Sequence, residues 1–255
     1  MTKRKGMILG MALAAALLLV VFFLPDSKPK DLSPAGERVW AYAQEQNIPF
    51  RSYPESLIAL LDRNPETEQF VLEYPIYKDK QPEVDLSAYK NCEEVPLFLQ
   101  WDPQWGYIVY GSDVAGLTGC GPVCLSMAAW YLTEDEAYSP DKMLRFALDN
   151  GYYSPGNGSS WTLISEGGVK LGFDVTELPL DENRMLKNLE AGNPIICAMG
   201  PGDFTSSGHY IVLTGTQDGM FRVNDPNSRA NSEKLWSYAQ IQGQIRNLWA
   251  IRKLS

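Results

Sequence analysis

Apolar positions follow three different regimes along the chain. From Met7 to Leu24 they run without a charge, with Lys3, Arg4 and Lys5 on one side and Pro25-Asp26-Ser27-Lys28 on the other. Such a run extends about 27 Å as a helix, enough to cross a hydrocarbon core. Between Leu32 and Lys90 polar, charged and proline residues dominate. Helical spacing recurs there only over Glu37 to Glu45, Pro54 to Asp62, and Glu66 to Leu72 behind Asn64-Pro65. From Val95 onward the pattern supports a core. Gly119-Cys120-Gly121-Pro122 is followed by Val123, Cys124, Met127, Ala128 and Tyr131, which predicts a buried helix beginning at the cysteine. Helical spacing continues at Asp141 to Asn150, Trp161 to Leu171 and Glu182 to Ala191. The period then shortens: Ile195 to Met199, Tyr210 to Thr216, Phe221 to Asn224 and Leu248 to Arg252 predict strands. Helices first and strands second is an α+β order, with N-terminal helices packed on an antiparallel sheet.

These regimes divide the chain into a signal anchor or transmembrane helix over 1–27, a helical spacer and linker over 28–92 that packs on the main domain, and that domain over 93–255. Phe22-Phe23-Leu24-Pro25 offers no small-x-small cleavage site, so the apolar run reads as a retained membrane anchor rather than a removed signal peptide. The cations ahead of it leave the N-terminus in the cytoplasm and place everything after Asp26 outside. Cleavage would instead make the protein secreted.

Charge narrows the partners. The net charge of −9, with no run of lysine or arginine in the body of the chain, argues against nucleic acid. Cysteines stand at 92, 120, 124 and 197 without Cys-x-x-Cys spacing, and Gly116, Gly119 and Gly121 do not fit a dinucleotide fingerprint, so no metal and no cofactor is expected. A disulfide is permitted outside the cell, and Cys92 with Cys197 is the pairing that leaves Cys120 free. Nothing in the pattern fixes an oligomeric state.

Cys120 opens a helix, where unpaired N–H groups and the helix dipole favour a thiolate, and Pro122 in the first turn costs no helical hydrogen bond. The plain alternative is a small buried residue at a helix start. His209 is the chain's one imidazole and follows Thr205-Ser206-Ser207-Gly208 at the mouth of a strand. A three-residue loop, Gln217-Asp218-Gly219, would pair Thr216 with Met220 and set Asp225 level with Ile211, on the face of His209. Asp225 is then the group that orients the imidazole. A two-residue Asp218-Gly219 turn would bring Asn224 there instead. For the oxyanion, the backbone N–H of Cys120 and a side-chain amide are needed. Between Val95 and Cys120 the glutamines are Gln100 and Gln104. Gln100 is favoured, at the end of the strand-like run Leu97-Phe98-Leu99.

These residues resemble the cysteine peptidase family 39-like group, a papain-like set related to bacteriocin leader peptidases. The resemblance rests on Val95 to Gly106, Gly119-Cys120-Gly121-Pro122, His209-Tyr210-Ile211-Val212 and Asn224-Asp225-Pro226, with Gly156-Asn157-Gly158-Ser159-Ser160-Trp161 as a further loop expected to line the cleft. It implies a papain-like α+β fold and a peptide or protein substrate. It also implies Cys120 as nucleophile, His209 as acid/base, Asp225 as orienter and Gln100 as oxyanion donor. In leader-peptidase members the amide lies close before the cysteine, whereas here the two are 20 positions apart. Three functions follow: a membrane-anchored extracytoplasmic cysteine peptidase, a cell-wall peptide amidase or endopeptidase, and a non-catalytic module on the same fold.

Overall fold

The computed structural model describes residues 27–80 and 83–254. The apolar run of the expected anchor lies outside the described residues, and among these no helix is long and apolar enough to cross a membrane.

Three short helices come first: α1 (Pro34–Glu45), α2 (Glu55–Arg63) and α3 (Glu68–Tyr77). Ser33 caps α1, its Oγ accepting the Gly36 N–H at 3.0 Å, and Pro34 occupies the first turn, where its missing N–H costs nothing. Asn64 ends α2 with extended backbone, the conformation required ahead of Pro65. Val39, Leu57, Leu61, Phe70 and Val71 pack together, and the cluster continues into Leu99, Trp101, Tyr107 and Val114 of the main body.

The helix α4 (Cys120–Thr133) is apolar on all sides and buried from Gly121 to Trp130. A Cβ at Gly121 would fall 2.8 Å from Ser159 Cβ, so glycine is what allows the ribbon carrying Ser159 to lie this close. Beside α4 runs α5 (Pro140–Asp149). The expected Trp161 to Leu171 helix is present from Thr162 to Lys170, with a π-helical stretch over Leu163–Gly167.

Six strands form one sheet: β1 (Phe173–Glu177), β2 (Ile195–Met199), β3 (His209–Gln217), β4 (Met220–Asn224), β5 (Leu235–Trp236) and β6 (Ile245–Lys253). Their order is β1-β6-β2-β3-β4-β5 and every neighbouring pair is antiparallel. Alternation sends Ile196, Ala198, Tyr210 and Val212 to the α4 face. Ile195, Cys197, Ile211 and Leu213 face the other way, toward α6 (Glu182–Glu190) through Met185 and Leu189. This parity rules out the Cys92–Cys197 bridge: Cys197 is sealed beneath α6, Cys92 is exposed, and both thiols are free.

Two departures in the β3–β4 hairpin cancel. The turn has two residues, Asp218 and Gly219, both at positive φ, so Gln217 and not Thr216 pairs with Met220. A bulge between Leu213 and Gly215 then moves the pairing by one, giving Leu213 opposite Val223 and Val212 opposite Asn224. Continued, that register puts Asp225 level with Ile211 after all. Leu97-Phe98-Leu99 forms no strand, because its neighbourhood is satisfied otherwise. Asn224 Nδ2 donates to the Val95 and Pro96 carbonyls at 2.9 and 3.0 Å, and Trp105 Nε1 to the Leu99 carbonyl at 2.7 Å.

Candidate active site

Cys120 is the first residue of α4 and is partly exposed. His209 opens β3 with its side chain 8% accessible, and Asp225 follows β4 at 1%. His209 Nε2 lies 2.7 Å from Asp225 Oδ1, which leaves Nδ1 for other partners, and Cys120 lines one cavity with the imidazole. The helix thus presents the sulfur, and the sheet presents the ring and carboxylate, across one crevice.

Asp225 is fixed from three sides. The Asn227 N–H donates to Oδ1 at 2.9 Å, Asn231 Nδ2 donates to Oδ2 at 2.9 Å, and the Asp225 N–H donates to Ser232 Oγ at 2.9 Å. Burial by itself disfavours the charged imidazole, but the charge and hydrogen bond of Asp225, reinforced by Cys120, outweigh it and hold His209 up to about 10. At neutral pH the ring is then an imidazolium. Cys124, one turn along α4, is sealed, and burial pushes its thiol well above the usual range.

Asn224, the alternative orienter, is turned toward Val95 and Pro96 and does not serve His209. Gln104 accepts the Asp85 N–H and is occupied outside the site. Gln100 is buried and lines a cavity of about 560 Å³ with His209, Gly208 and Leu117. Its Nε2 donates to the Gly116 carbonyl at 2.8 Å, which uses one of its two hydrogens, and its Oε1 has no partner among the described residues. A second cavity, of about 450 Å³, holds Cys120, Ser159, Trp161, Gly200 and Arg246, so the loop 156–161 does line the cleft. The two cavities meet at Ser207-Gly208-His209.

The sequence profile of the Peptidase_C39 like family matches residues 92–253. The chain belongs to the peptidase C39-like family. Two solved C39-type structures are similar to it. The peptidase domain of Streptococcus ComA, a bifunctional ABC transporter involved in quorum sensing, is 19% identical with a TM-score of 0.43, over 54% of this chain and 93% of that one. A Bacillus anthracis protein described as a C39-like peptidase is 16% identical with a TM-score of 0.38, over 64% of this chain and 100% of that one. No protein of curated function matches. The C39-like domain here has the papain-like α+β arrangement, a buried cysteine-bearing helix against an antiparallel sheet. The partners of Asp225 at Asn227, Asn231 and Ser232 escaped the sequence reading, since a short polar turn after a strand carries no periodic signal.

Proposed function

We propose that this protein is an extracytoplasmic, membrane-anchored cysteine peptidase that hydrolyses peptide bonds with Cys120, His209, Asp225 and Gln100. The observation that carries the reading is one imidazole bonded to a buried carboxylate at 2.7 Å and lining one cavity with the thiol at a helix N-terminus.

In this mechanism the Cys120 thiolate adds to the scissile carbonyl carbon and the carbonyl π pair moves onto oxygen. The Cys120 N–H and the spare hydrogen of Gln100 Nε2 receive that oxyanion. As the carbonyl re-forms, the C–N bond breaks and the His209 imidazolium gives its proton to the leaving amine, leaving a thioester. Neutral His209 then takes a proton from water, whose hydroxide attacks the thioester, and Cys120 departs as thiolate beside a restored imidazolium. Asp225 keeps the ring's orientation and tautomer throughout.

Iodoacetamide labelling across pH, with mass mapping of the modified sulfur, tests the reading without a known substrate. Cys120 is expected to react rapidly at pH 6, far below the free-thiol value of about 8.5, while Cys124 and Cys197 stay unlabelled. Ordinary thiol behaviour at Cys120, or peptide hydrolysis retained by Cys120→Ala, overturns it. For the anchor, the test is extraction: the full chain should stay with membranes through an alkaline wash, and release into the supernatant rejects anchoring.

A further inference from the structure

Residues 28–80 precede the stretch matched by the family, yet their side chains reach the loop that carries Asp225. Asn64 Nδ2 donates to the Asn227 carbonyl at 2.6 Å. Glu66 accepts Ser228 Oγ–H on Oε1 and the Arg229 N–H on Oε2, both at 2.9 Å. Ser228 Oγ in turn accepts the Asn231 N–H at 3.1 Å, and Asn231 Nδ2 holds Asp225 Oδ2. Two hydrogen-bonded links therefore separate Glu66 from the residue that donates to the Asp225 carboxylate.

We infer that the turn between α2 and α3, Asn64-Pro65-Glu66, is a positioning clamp for Asp225, and that the N-terminal helices are a working part of the active site rather than a spacer. The inference rests on the peptidase reading above. The turn is itself rigid: Pro65 fixes one φ, Asn64 Oδ1 accepts the Glu66 N–H at 3.1 Å, and Thr67 Oγ–H donates to the Asn64 carbonyl at 2.7 Å. The matched domain holds the same loop from its other side, through Gln100 N–H on the Pro226 carbonyl at 2.7 Å and Trp101 Nε1 on the Asn227 carbonyl at 3.1 Å. The Asn227 carbonyl thus receives one donor from each part of the chain.

The same helices back the oxyanion side. A Cβ at Gly116 would fall 2.4 Å from the Phe70 ring of α3, and the Gly116 carbonyl is the acceptor that fixes Gln100 Nε2. Leu60, Arg63 and Asn64 also line the cavity next to His209. The ionisable groups facing the ring are Asp225 and Cys120, with Arg63 and Asp203 on the walls of that cavity and Tyr210 and Arg246 on the walls of the one holding Cys120. None of these is altered in the variants below.

The test uses the full chain and the variants Glu66→Ala, Glu66→Gln and Asn64→Ala, with Glu68→Gln, at a half-exposed ion pair with Arg38, as control. The readout is the pH profile of Cys120 alkylation, with near-UV circular dichroism and a melting curve on each protein. Glu66→Ala is expected to lower the rate at pH 6 about tenfold, because a modest displacement of a catalytic group costs up to about 10²-fold. Its alkaline limb should move to lower pH as the imidazolium loses its fixed counter-ion. Glu66→Gln, which keeps an acceptor for Ser228, should recover part of both, and Glu68→Gln should match wild type. If Glu66→Ala does not fold, Glu66→Gln and Asn64→Ala decide by the same criteria. A folded variant that melts lower but keeps both limbs overturns the clamp and leaves the peptidase reading standing. A wild type that alkylates as an ordinary thiol sinks both.

Discussion

The 2.7 Å contact between His209 and Asp225 gives the imidazole both its charge and its direction, and the two roles are separable. Asp225→Asn keeps the shape but removes the anion, and should lower the hydrolysis rate about 10²–10⁴-fold with KM little changed. On the proposed mechanism Gln100→Ala should cost about 10²-fold in kcat, since the lost donor would serve an oxyanion present only in the transition state. The His209 shift also fixes a pH dependence of stability. Its folded value of about 10 exceeds the unfolded 6.5, so the ion pair's stabilisation is complete below 6.5 and lost as pH rises through about 10. Melting temperatures of wild type minus His209→Gln, measured from pH 6 to pH 10, should therefore converge. Asp225 and Asn224 show the limit of sequence reasoning. Asn224 ends an alternating strand and Asp225 follows it, and only the bulge, which no residue type announces, sends one to the ring and the other to Val95 and Pro96.

Among the elements, α4 is the most legible, because glycines, proline and apolar residues all point to one buried helix starting at Cys120. Gly121→Ala should destabilise by about 1–3 kcal/mol, as its Cβ collides with Ser159; a urea midpoint would show this. Strands β2, β3, β4 and β6 were also readable, since apolar runs bounded by turn residues leave few alternatives. What resisted was structure held by tertiary hydrogen bonds. Leu97-Phe98-Leu99 has the composition of a strand, but its neighbours' carbonyls go to Asn224.

For the whole molecule, two regions distant in sequence close on one loop. Asn64 and Asn227 are separated by 163 positions, and no local pattern relates them. The apolar faces of α1, α2 and α3 announce that something must cover them, and the cluster with Leu99, Trp101, Tyr107 and Val114 shows what does. That docking also decides reach. A segment folded against its own domain provides no slack, so with an anchor ending at Leu24 the leash is the chain up to Pro34, about ten residues and at most about 36 Å when stretched. On the proposed anchoring the crevice would stay within roughly one protein width of the bilayer, which would favour membrane-borne substrates over soluble ones. Glycine-serine insertions ahead of Pro34 should accordingly change cutting of vesicle-tethered peptides and leave a free peptide's turnover as it was.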